Sequence, residues 1–412
     1  MTTNVDALWA DFLALCDCGG RRAGTPSEEK ALDFACKRLL EIAPGVRVET
    51  VAYAGWRLKD ASLTLPGGPA LTCNPLLGSQ STPEAGVTAQ VCDLGRGALE
   101  DFERRASDIP GRFVLVRHEY PFSAQHVHRR RKLAWAMERG AAGFIIANPH
   151  PGSGAVSGSS GRAGQPGIPA MGTDYESAAR LAQAGEAKAL LKVSAEDYPG
   201  ETSVLVLDLP ARGAERVVLS AHIDGHDLAE SAMDNGTGVA AALAIARDFS
   251  NRMNESPRGL RVCLFSAEEW ALAGSQHYLD RMSPAEHESI VLNVNLDTVA
   301  GDRRLSALTS EFPQLDAFVR DFARAQSIDL GTYLPTMSNS DHYNFARHGI
   351  PALRLVAGFD TPESNIRYIL TRGDTRDKVE RTDLEAATRT AAKLVWRGLT
   401  MSDAEASALR KR

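Results

Sequence analysis

Apolar and polar residues follow two different patterns along the chain. After residue 200, apolar runs such as VVLSA, LRVCLF, IVLNVNL and PALRLV alternate with segments of helical periodicity. Mostly apolar runs of this length are typical of strands buried on both faces, and their alternation with helices predicts an α/β fold around a largely parallel sheet. The predicted helices cover 238–250, 273–282, 313–326 and 382–399, the last with a capping-box pattern from Thr382 to Glu385.

The N-terminal half differs from this pattern. Residues 1–55 predict helices and then an extended segment, with one helix beginning at Pro26 after Thr25. Residues 56–199 carry short β-like runs and turns rich in Gly and Pro, with little helical periodicity. We therefore predict an α/β domain of residues 1–55 and 200–412 with a β-rich domain, 56–199, inserted into it. Within the insertion, the basic run 128–132 predicts a solvated helix face.

Candidate chemistry begins directly after the apolar run VVLSA. His222 and Asp224 follow that predicted strand, and Asp234 lies at the turn into the next helix. Loops at the carboxyl ends of strands in open α/β sheets are where ligands bind. An imidazole together with carboxylates suits zinc or manganese. Taken alone, the segment is equally compatible with an ordinary solvated turn.

Three further apolar runs stand beside acidic residues. One run precedes Glu268 and Glu269, another ends in Asp297, and Asp341 and His342 come shortly before a third. Adjacent carboxylates repel each other unless a positive charge lies between them. A metal would supply that charge, and a carboxylate beside it could act as a general base on a water molecule. Solvated strand ends are the alternative interpretation, which four such segments in one β/α alternation disfavour.

In this order the segments resemble the co-catalytic zinc exopeptidases, a family that includes bacterial leucyl aminopeptidases, glutamate carboxypeptidase II and glutaminyl cyclases. The resemblance implies a three-layer α/β sandwich around a mixed, mostly parallel sheet of the zinc-exopeptidase type. It also implies that residues 56–199 are a protease-associated domain, which in this family covers the active site as a lid. The N-terminal segment GRRAGTPSEEKALDFACKRL is part of the same resemblance.

The resemblance also implies the metal ligands. It assigns His222 and Asp297 to a first divalent metal and Asp234 to a position that bridges two metals. Glu269 matches a ligand of the second metal.

Catalytic roles follow from the same resemblance. Glu268 matches the general base, and Asp224 matches the carboxylate that orients the imidazole of His222. Asp341 and His342 match a Ser-Asp-His element that lies beside the site without ligating metal.

One position departs from the family pattern. Family members end with a second imidazole in a motif of the form His-Thr-x-x-Asp-Thr, whereas here Leu370 stands at the histidine position and Asp374 and Thr375 align. A leucine cannot bind a metal, so we favour one zinc or manganese ion per chain over two. The alternative is that another residue completes a second site, either His226, four residues after His222, or His348.

Three functions remain open at this point. The first is a peptidase acting on short peptides or amino-acid amides. The second, weighed equally, is an aminohydrolase of an aromatic amine such as 5-nitroanthranilate, because the same fold is known to host that reaction. The third is an inactive protein that retains its metal. A small-molecule substrate is expected in the first two, and its carboxylate has candidate partners in Arg354, Arg367 and Arg372.

Charge and composition exclude several partners. The formal net charge of −6 provides no electrostatic basis for binding nucleic acid or an anionic membrane. The chain contains no apolar stretch long enough to span a bilayer, and its first twenty residues lack the basic start of a secretory signal. Six scattered cysteines without a CxxC pair are expected to be reduced. We expect a cytoplasmic protein, and homo-oligomerisation stays open.

Overall fold

A computed structural model describes residues 4–410, which divide into two compact units. The first unit contains residues 4–52, 201–367 and 374–410, and the second contains 53–200 and 368–373. The second unit contains residues 56–199, which we expected as an insertion, together with residues 53–55, residue 200 and the segment 368–373, which was not predicted there.

Helices occupy both units. Their bounds are α1 Val5–Asp17, α2 Pro26–Ile42, α3 Leu99–Arg104, α4 Arg129–Glu138, α5 Tyr175–Ala182, α6 Thr237–Ser250, α7 Ala273–Asp280, α8 Pro284–Ser289, α9 Pro313–Gln326, α10 His342–Arg347, α11 Arg381–Leu399 and α12 Asp403–Leu409. Among residues 4–410, none of these helices has both the length and the apolar character needed to cross a membrane.

The strands form two sheets. Their bounds are β1 Arg47–Thr64, β2 Cys73–Pro75, β3 Val87–Ala89, β4 Val91–Asp93, β5 Phe113–Arg117, β6 Gly143–Ala147, β7 Ala170–Thr173, β8 Ala189–Leu209, β9 Arg216–His222, β10 Gly259–Phe265, β11 Ile290–Leu296, β12 Leu305–Leu308, β13 Leu330–Tyr333 and β14 Ala352–Ala357. In the larger sheet the order is β1-β8-β10-β9-β11-β14-β12-β13.

The larger sheet is mixed and mostly parallel, as predicted. Strand β9 lies parallel to both β10 and β11, and β11 lies parallel to β14. Antiparallel pairing joins β8 to β10 and β12 to β14. Helices α1, α6 and α11 pack against one another, α6 and α11 also pack on β9, and α10 packs on β11 and β14. The unit is thus the predicted three-layer α/β sandwich.

Burial explains why the central segments form strands. Every residue of β10 and β11 is buried, and in β9 only Arg216 is partly exposed. Strands covered by helices on both faces need such continuous apolar runs. Because β9, β10 and β11 are parallel, their carboxyl ends meet at one edge of the sheet, where His222, Glu268 and Asp297 lie.

Two predicted helix starts have different outcomes. Helix α2 begins at Pro26 as predicted, and the hydroxyl of Thr25 accepts a hydrogen bond from the backbone N–H of Glu28. The prediction of a capping box at Thr382 was wrong, because α11 begins at Arg381 and its N-terminus has no side-chain cap. A Thr-x-x-Glu spacing is also common inside helices, so the pattern alone misplaced the boundary.

The second unit contains its own sheet of order β2-β7-β6-β5-β4. Strands β4 to β7 are parallel neighbours, β2 joins the edge in antiparallel orientation, and β3 pairs with the part of β8 that lies in this unit. Strand β6 is completely buried, and β5 is buried except for its last residue. The insertion is therefore β-rich, as predicted, with its own apolar core.

The basic run of the second unit is not the solvated face that we predicted. In α4, Arg129 is 8% exposed and Lys132 is completely buried. The ammonium of Lys132 donates to the carbonyl oxygens of Arg96 and Arg117 and forms an ion pair of 2.6 Å with Glu119. Lys132 is therefore buried among polar partners that are distant in sequence, although a run of charged residues alone predicts exposure to solvent.

Three histidines in and near this run, His118, His126 and His128, predict a pH-dependent stability. Burial, reinforced by nearby cations such as Arg129, holds the pKa of His118 and His128 well below 6.5, and burial lowers the pKa of His126 to about 4. Above pH 6.5 these imidazoles are neutral in the folded and the unfolded state. Below it, the unfolded chain takes up protons that the folded unit does not, which removes about 1.4 kcal/mol of stability per pH unit for each histidine.

We therefore expect amides of β5 and β6 to lose hydrogen-exchange protection steeply as the pH falls from 6.5 towards 4. His118→Gln, which cannot titrate, should reduce the steepness after correction for the intrinsic exchange rate. Equal steepness in this variant and in the original protein would contradict the assignment.

Candidate metal centre

The imidazole of His222, at the carboxyl end of β9, lies at the centre of the site. Its Nε2 atom lies 3.2 Å from Oδ1 of Asp234 and 3.4 Å from Oδ1 of Asp297. Metal-ligating atoms of His222, Glu268 and Asp297 all lie within 4.8 Å of one another. A buried imidazole nitrogen facing several carboxylate oxygens is a donor set that fits zinc or manganese.

Asp224 fixes the geometry of two strand ends. Its Oδ1 and Oδ2 accept hydrogen bonds of 3.0 and 3.1 Å from the backbone N–H groups of Glu268 and Glu269. The Nδ1 atom of His222 lies 3.1 Å from the carbonyl oxygen of Asp224 and 3.7 Å from its Oδ1. A proton on Nδ1 satisfies this contact and leaves Nε2 as the atom that faces the carboxylates.

Asp234 lies in the turn that leads into α6, and its neighbours hold that turn in place. The peptide bond between Asp234 and Asn235 is cis. The amide of Asn235 donates to the carbonyl oxygen of Leu296 at 2.8 Å and accepts from the backbone N–H of Thr298 at 3.1 Å. Asp374 accepts from the backbone N–H of Asp234 at 3.3 Å. These contacts connect the turn to the end of β11, which precedes Asp297.

Glu268 follows β10 after a turn in which Ala267 has a φ of 57°. Burial raises the pKa of Glu268 well above its usual range, and the carboxylates of Glu269 and Asp297 add to the increase. A carboxyl group with a raised pKa is suited to accept a proton and to release it again near neutral pH. The geometry thus permits both roles for Glu268, general base and metal ligand.

Asp297 is paired with a buried guanidinium group. The Nη2 atom of Arg354 on β14 lies 3.0 Å from Oδ2 of Asp297, and both side chains are 2% exposed. Burial opposes the charged form of Asp297, but Arg354 and His222 outweigh it and hold the pKa of this carboxyl group well below its usual range. Asp297 is therefore a carboxylate before any metal arrives, with Oδ1 directed at His222.

The charge balance of the site also fits a cation. Burial disfavours a charged imidazole at His222, yet the carboxylates of Glu268 and Asp297 raise its pKa well above the usual range. The imidazole thus experiences a surplus of negative charge in a place that water barely reaches. A bound divalent ion relieves that surplus, as the sequence argument anticipated.

Asp341 and His342 lie at the start of α10 and are completely buried. Burial raises the pKa of Asp341 to about 7; its neighbours Asp224 and Asp297 also raise it, whereas His222 lowers it. Burial and the positive charge of Arg354 lower the pKa of His342 to about 3. Both side chains therefore belong to the same electrostatic environment as the predicted ligands, although neither is in the group of ligating atoms around His222.

Other predicted residues are not members of that group of ligating side chains. His226 is buried in the loop after His222, with its backbone N–H bonded to Ser231. Arg372 belongs to the second unit and donates to the carbonyl oxygen of Gly152 at 2.8 Å. Leu370 belongs to the same unit, where its carbonyl oxygen accepts from Ser157 at 2.7 Å. The roles proposed for His226 and Arg372 stay predictions.

The pairing of Arg354 with Asp297 is a contact that the sequence did not predict. We expected Arg354 to bind a substrate carboxylate, but its guanidinium group is occupied by a carboxylate of the protein. A signal was available, because a charged residue in the middle of the run PALRLV requires a buried counter-charge. The identity of that counter-charge depends on β11 lying beside β14.

Comparisons with known proteins agree with this geometry. Residues 205–395 match the model of peptidase family M28, and residues 80–181 match the model of the PA domain. The first segment contains all the predicted metal ligands, and the second lies inside the predicted insertion.

Several relatives share much of the chain. It is 26% identical to aminopeptidase YwaD of Bacillus subtilis over 374 residues, which covers 85% of this chain and 77% of the relative. It is 29% identical to carboxypeptidase Q of Bos taurus over 307 residues, which covers 68% of this chain and 62% of the relative. The chain thus matches less than two thirds of the length of that carboxypeptidase.

Solved structures show the same fold. A zinc aminopeptidase from Bacillus subtilis superimposes with a TM-score of 0.76 at 23% identity and covers 97% of this chain and 96% of its own. A peptidase M28 precursor from Shewanella amazonensis gives a TM-score of 0.77 at 21% identity, with coverage of 98% and 94%. At these identities the likeness concerns the fold alone. The chain is thus a metallohydrolase in which residues 205–395 match peptidase family M28 and residues 80–181 match the PA domain.

Proposed function

We propose that this protein hydrolyses a C–N bond of small substrates, with short peptides or amino-acid amides as its substrate class. The observation that carries the proposal is the buried convergence of His222, Glu268 and Asp297 at the carboxyl edge of the sheet, inside the segment that matches a peptidase family. The names of the relatives, aminopeptidase and carboxypeptidase, support peptides over other C–N compounds.

His222, Asp234 and Asp297 would hold the divalent metal. When bound, the ion supplies Lewis acidity, drawing electron density from a water molecule and from the substrate oxygen. Arg354 keeps Asp297 ionised and oriented, and Asp224 keeps His222 and the backbone of Glu268 in register. The protein thus holds the proposed ligands in positions that should need little rearrangement when the metal binds.

Glu268 performs the proton transfer in this proposal. Its carboxylate takes a proton from the attacking water and later delivers one to the leaving nitrogen, which departs as an amine. The raised pKa of Glu268, caused first by burial and then by neighbouring carboxylates, favours both halves of this transfer. The same residue acts as base and then as acid, so no second proton carrier is required.

We further propose that one metal ion per chain is sufficient. Among residues 4–410, the group around His222 is the one place where three or more metal-ligating side chains converge. The resemblance to co-catalytic zinc exopeptidases places the second-metal imidazole at Leu370, which cannot ligate. The second metal would then depend on carboxylates such as Asp234 and Glu269, which are a poor holder for zinc without an imidazole.

Leu370 also favours a second candidate, an aminohydrolase of aromatic amines. In the bimetallic members of that family, the second metal anchors the free amine of a peptide substrate. An apolar side chain in the corresponding position of the motif removes that anchor and suits a flat, uncharged ring better. Water attack at the ring carbon that bears the amino group would then release ammonia, with Glu268 in the same role.

A substrate panel tests these proposals. The protein would be loaded with zinc or with manganese, its metal content determined by elemental analysis, and its turnover measured on aminoacyl anilides, dipeptides and amino-substituted benzoates. We expect turnover of the first two classes and about one metal ion per chain.

Each other outcome is equally informative. Turnover restricted to aminobenzoates would replace the peptidase proposal by the second candidate. Two fully occupied ions per chain would overturn the proposed mononuclear site. A metal-loaded protein that turns over none of the three classes would favour the inactive, metal-bearing alternative.

A further inference from the structure

Arg21 is a completely buried arginine outside the group of predicted ligands and catalytic residues. It lies shortly after α1 and has a φ of 58°, a backbone conformation that few residues other than glycine adopt. Arginine is almost never fully buried unless its charge and its N–H groups are engaged by partners. The contacts of this guanidinium group therefore indicate its structural role.

The guanidinium group binds both ends of one loop. Its Nε donates to the carbonyl oxygen of Ile223 at 2.9 Å. Its Nη1 and Nη2 donate to the carbonyl oxygens of Glu230 and Ser231, each at 2.6 Å. Residues 223–231 thus form a loop whose first and last residues are joined through a single side chain.

That loop connects two of the predicted metal ligands. His222 directly precedes it, and Asp234 follows it after two intervening residues. The position of Asp234 relative to the imidazole, 3.2 Å between Oδ1 and Nε2, therefore depends on how the loop closes. Arg21 touches neither ligand and acts only through the backbone between them.

Arg21 is itself anchored to α1. Its Nη1 also donates to the carbonyl oxygens of Leu15 and Gly19, at 3.3 and 3.1 Å. Its own carbonyl oxygen accepts from the backbone N–H of Gly225 at 3.1 Å. The loop is thus held to a helix of the same unit by both the side chain and the backbone of Arg21.

The adjacent Gly20 shows how closely the two segments approach. A Cβ atom at this position would lie 2.1 Å from the carbonyl oxygen of His226, too close for any side chain. The loop rests directly on the backbone of the Arg21 segment. The position of the loop therefore depends on the segment that carries Arg21.

We propose that Arg21 is a positioning residue that sets the metal affinity of the site by closing the loop between His222 and Asp234. The proposal rests on the proposed metal site but is separate from the reaction. Removing residues that hold metal ligands in place commonly weakens metal binding about tenfold to a hundredfold. A shorter ammonium reaches fewer of the five carbonyl oxygens than the planar guanidinium fork does.

The neighbouring Arg22 offers a matched control. It lies next to Arg21 and forms an ion pair of 3.0 Å with Asp227, which is a residue of the same loop. However, the Asp227 side chain is 55% exposed, so this pair is expected to contribute little. A loss specific to Arg21 therefore reports loop closure and not the general loss of a positive charge.

The experiment measures zinc affinity by competition with a chromogenic chelator, without substrate. The variants are Arg21→Met, Arg21→Lys, Arg21→Ala and Arg22→Met, each checked for folding by near-UV circular dichroism. We expect a dissociation constant raised about tenfold or more in Arg21→Met, an intermediate value in Arg21→Lys and a change below about twofold in Arg22→Met. Low concentrations of guanidinium ion, but not of urea, should partly restore zinc affinity to Arg21→Ala.

Unchanged zinc affinity in a folded Arg21→Met protein would overturn the proposal. So would loss of folding in every Arg21 variant including Arg21→Lys, because Arg21 would then support the whole unit instead of the loop. These outcomes differ from a failure of the proposed function, in which the unaltered protein itself would bind no zinc.

Discussion

Replacing Glu268 by glutamine should lower kcat by about a hundredfold or more and leave the metal content unchanged. Glutamine keeps the shape of the side chain and its ability to accept a hydrogen bond, but it cannot take a proton from water. Burial, together with the carboxylates around it, raises the pKa of Glu268, which suits this group to hold a proton between the two transfers. Parallel measurements of kcat, KM and bound metal test the expectation.

The metal measurement decides between two roles for Glu268. Its carboxylate lies close enough to His222 and Asp297 to serve as a ligand instead of a base. In that case Glu268→Gln would lose metal together with activity. Glu269→Gln is the matched control: it changes an adjacent carboxylate that is not in the converging group, and with one working metal it should retain much more of kcat. Near-normal turnover of Glu268→Gln would exclude Glu268 as the base.

The sequence predicted the sheet and the site edge well because both depend on patterns along single segments. Continuous apolar runs identify β9, β10 and β11, and the parallel arrangement then brings His222 and Asp297 to the same edge. Acidic residues at several strand ends become informative only together, since each one alone has an ordinary explanation. The sequence therefore predicted that these side chains lie together because one local pattern, an apolar run beside an acidic residue, is repeated in several segments.

Contacts between distant segments could not be predicted in the same way. Lys132 was expected in solvent, yet the carbonyl oxygens and the carboxylate that enclose it come from other parts of the second unit. Arg354 was expected to face substrate, yet the neighbouring strand supplies Asp297 as its partner. In both cases the residue type indicates that a partner is needed, and only the fold determines which partner it is.

Replacing a ligand of the proposed metal should abolish both metal binding and activity. His222→Ala removes the one imidazole of the converging group and leaves a set of carboxylates that is a poor holder for zinc. Asp297 is better tested as Asp297→Asn, which removes the charge but keeps an oxygen that can accept a hydrogen bond from the buried guanidinium group of Arg354, whereas alanine removes both. Breaking a buried ion pair in that way costs about 3–5 kcal/mol of stability and would confuse loss of metal with loss of fold.

His118→Ala and His150→Ala provide the controls for this prediction, because both histidines belong to the second unit. They should leave the metal content at its original level, measured by elemental analysis after exhaustive dialysis. His222→Ala and Asp297→Asn should retain less than about a tenth of it, since removing a ligand weakens binding more than removing a residue that only orients one. Equal metal loss in the two pairs of variants would show that the metal binds elsewhere. Normal metal content in His222→Ala would show that His222 is not a ligand, and the proposed reaction would lose its metal site.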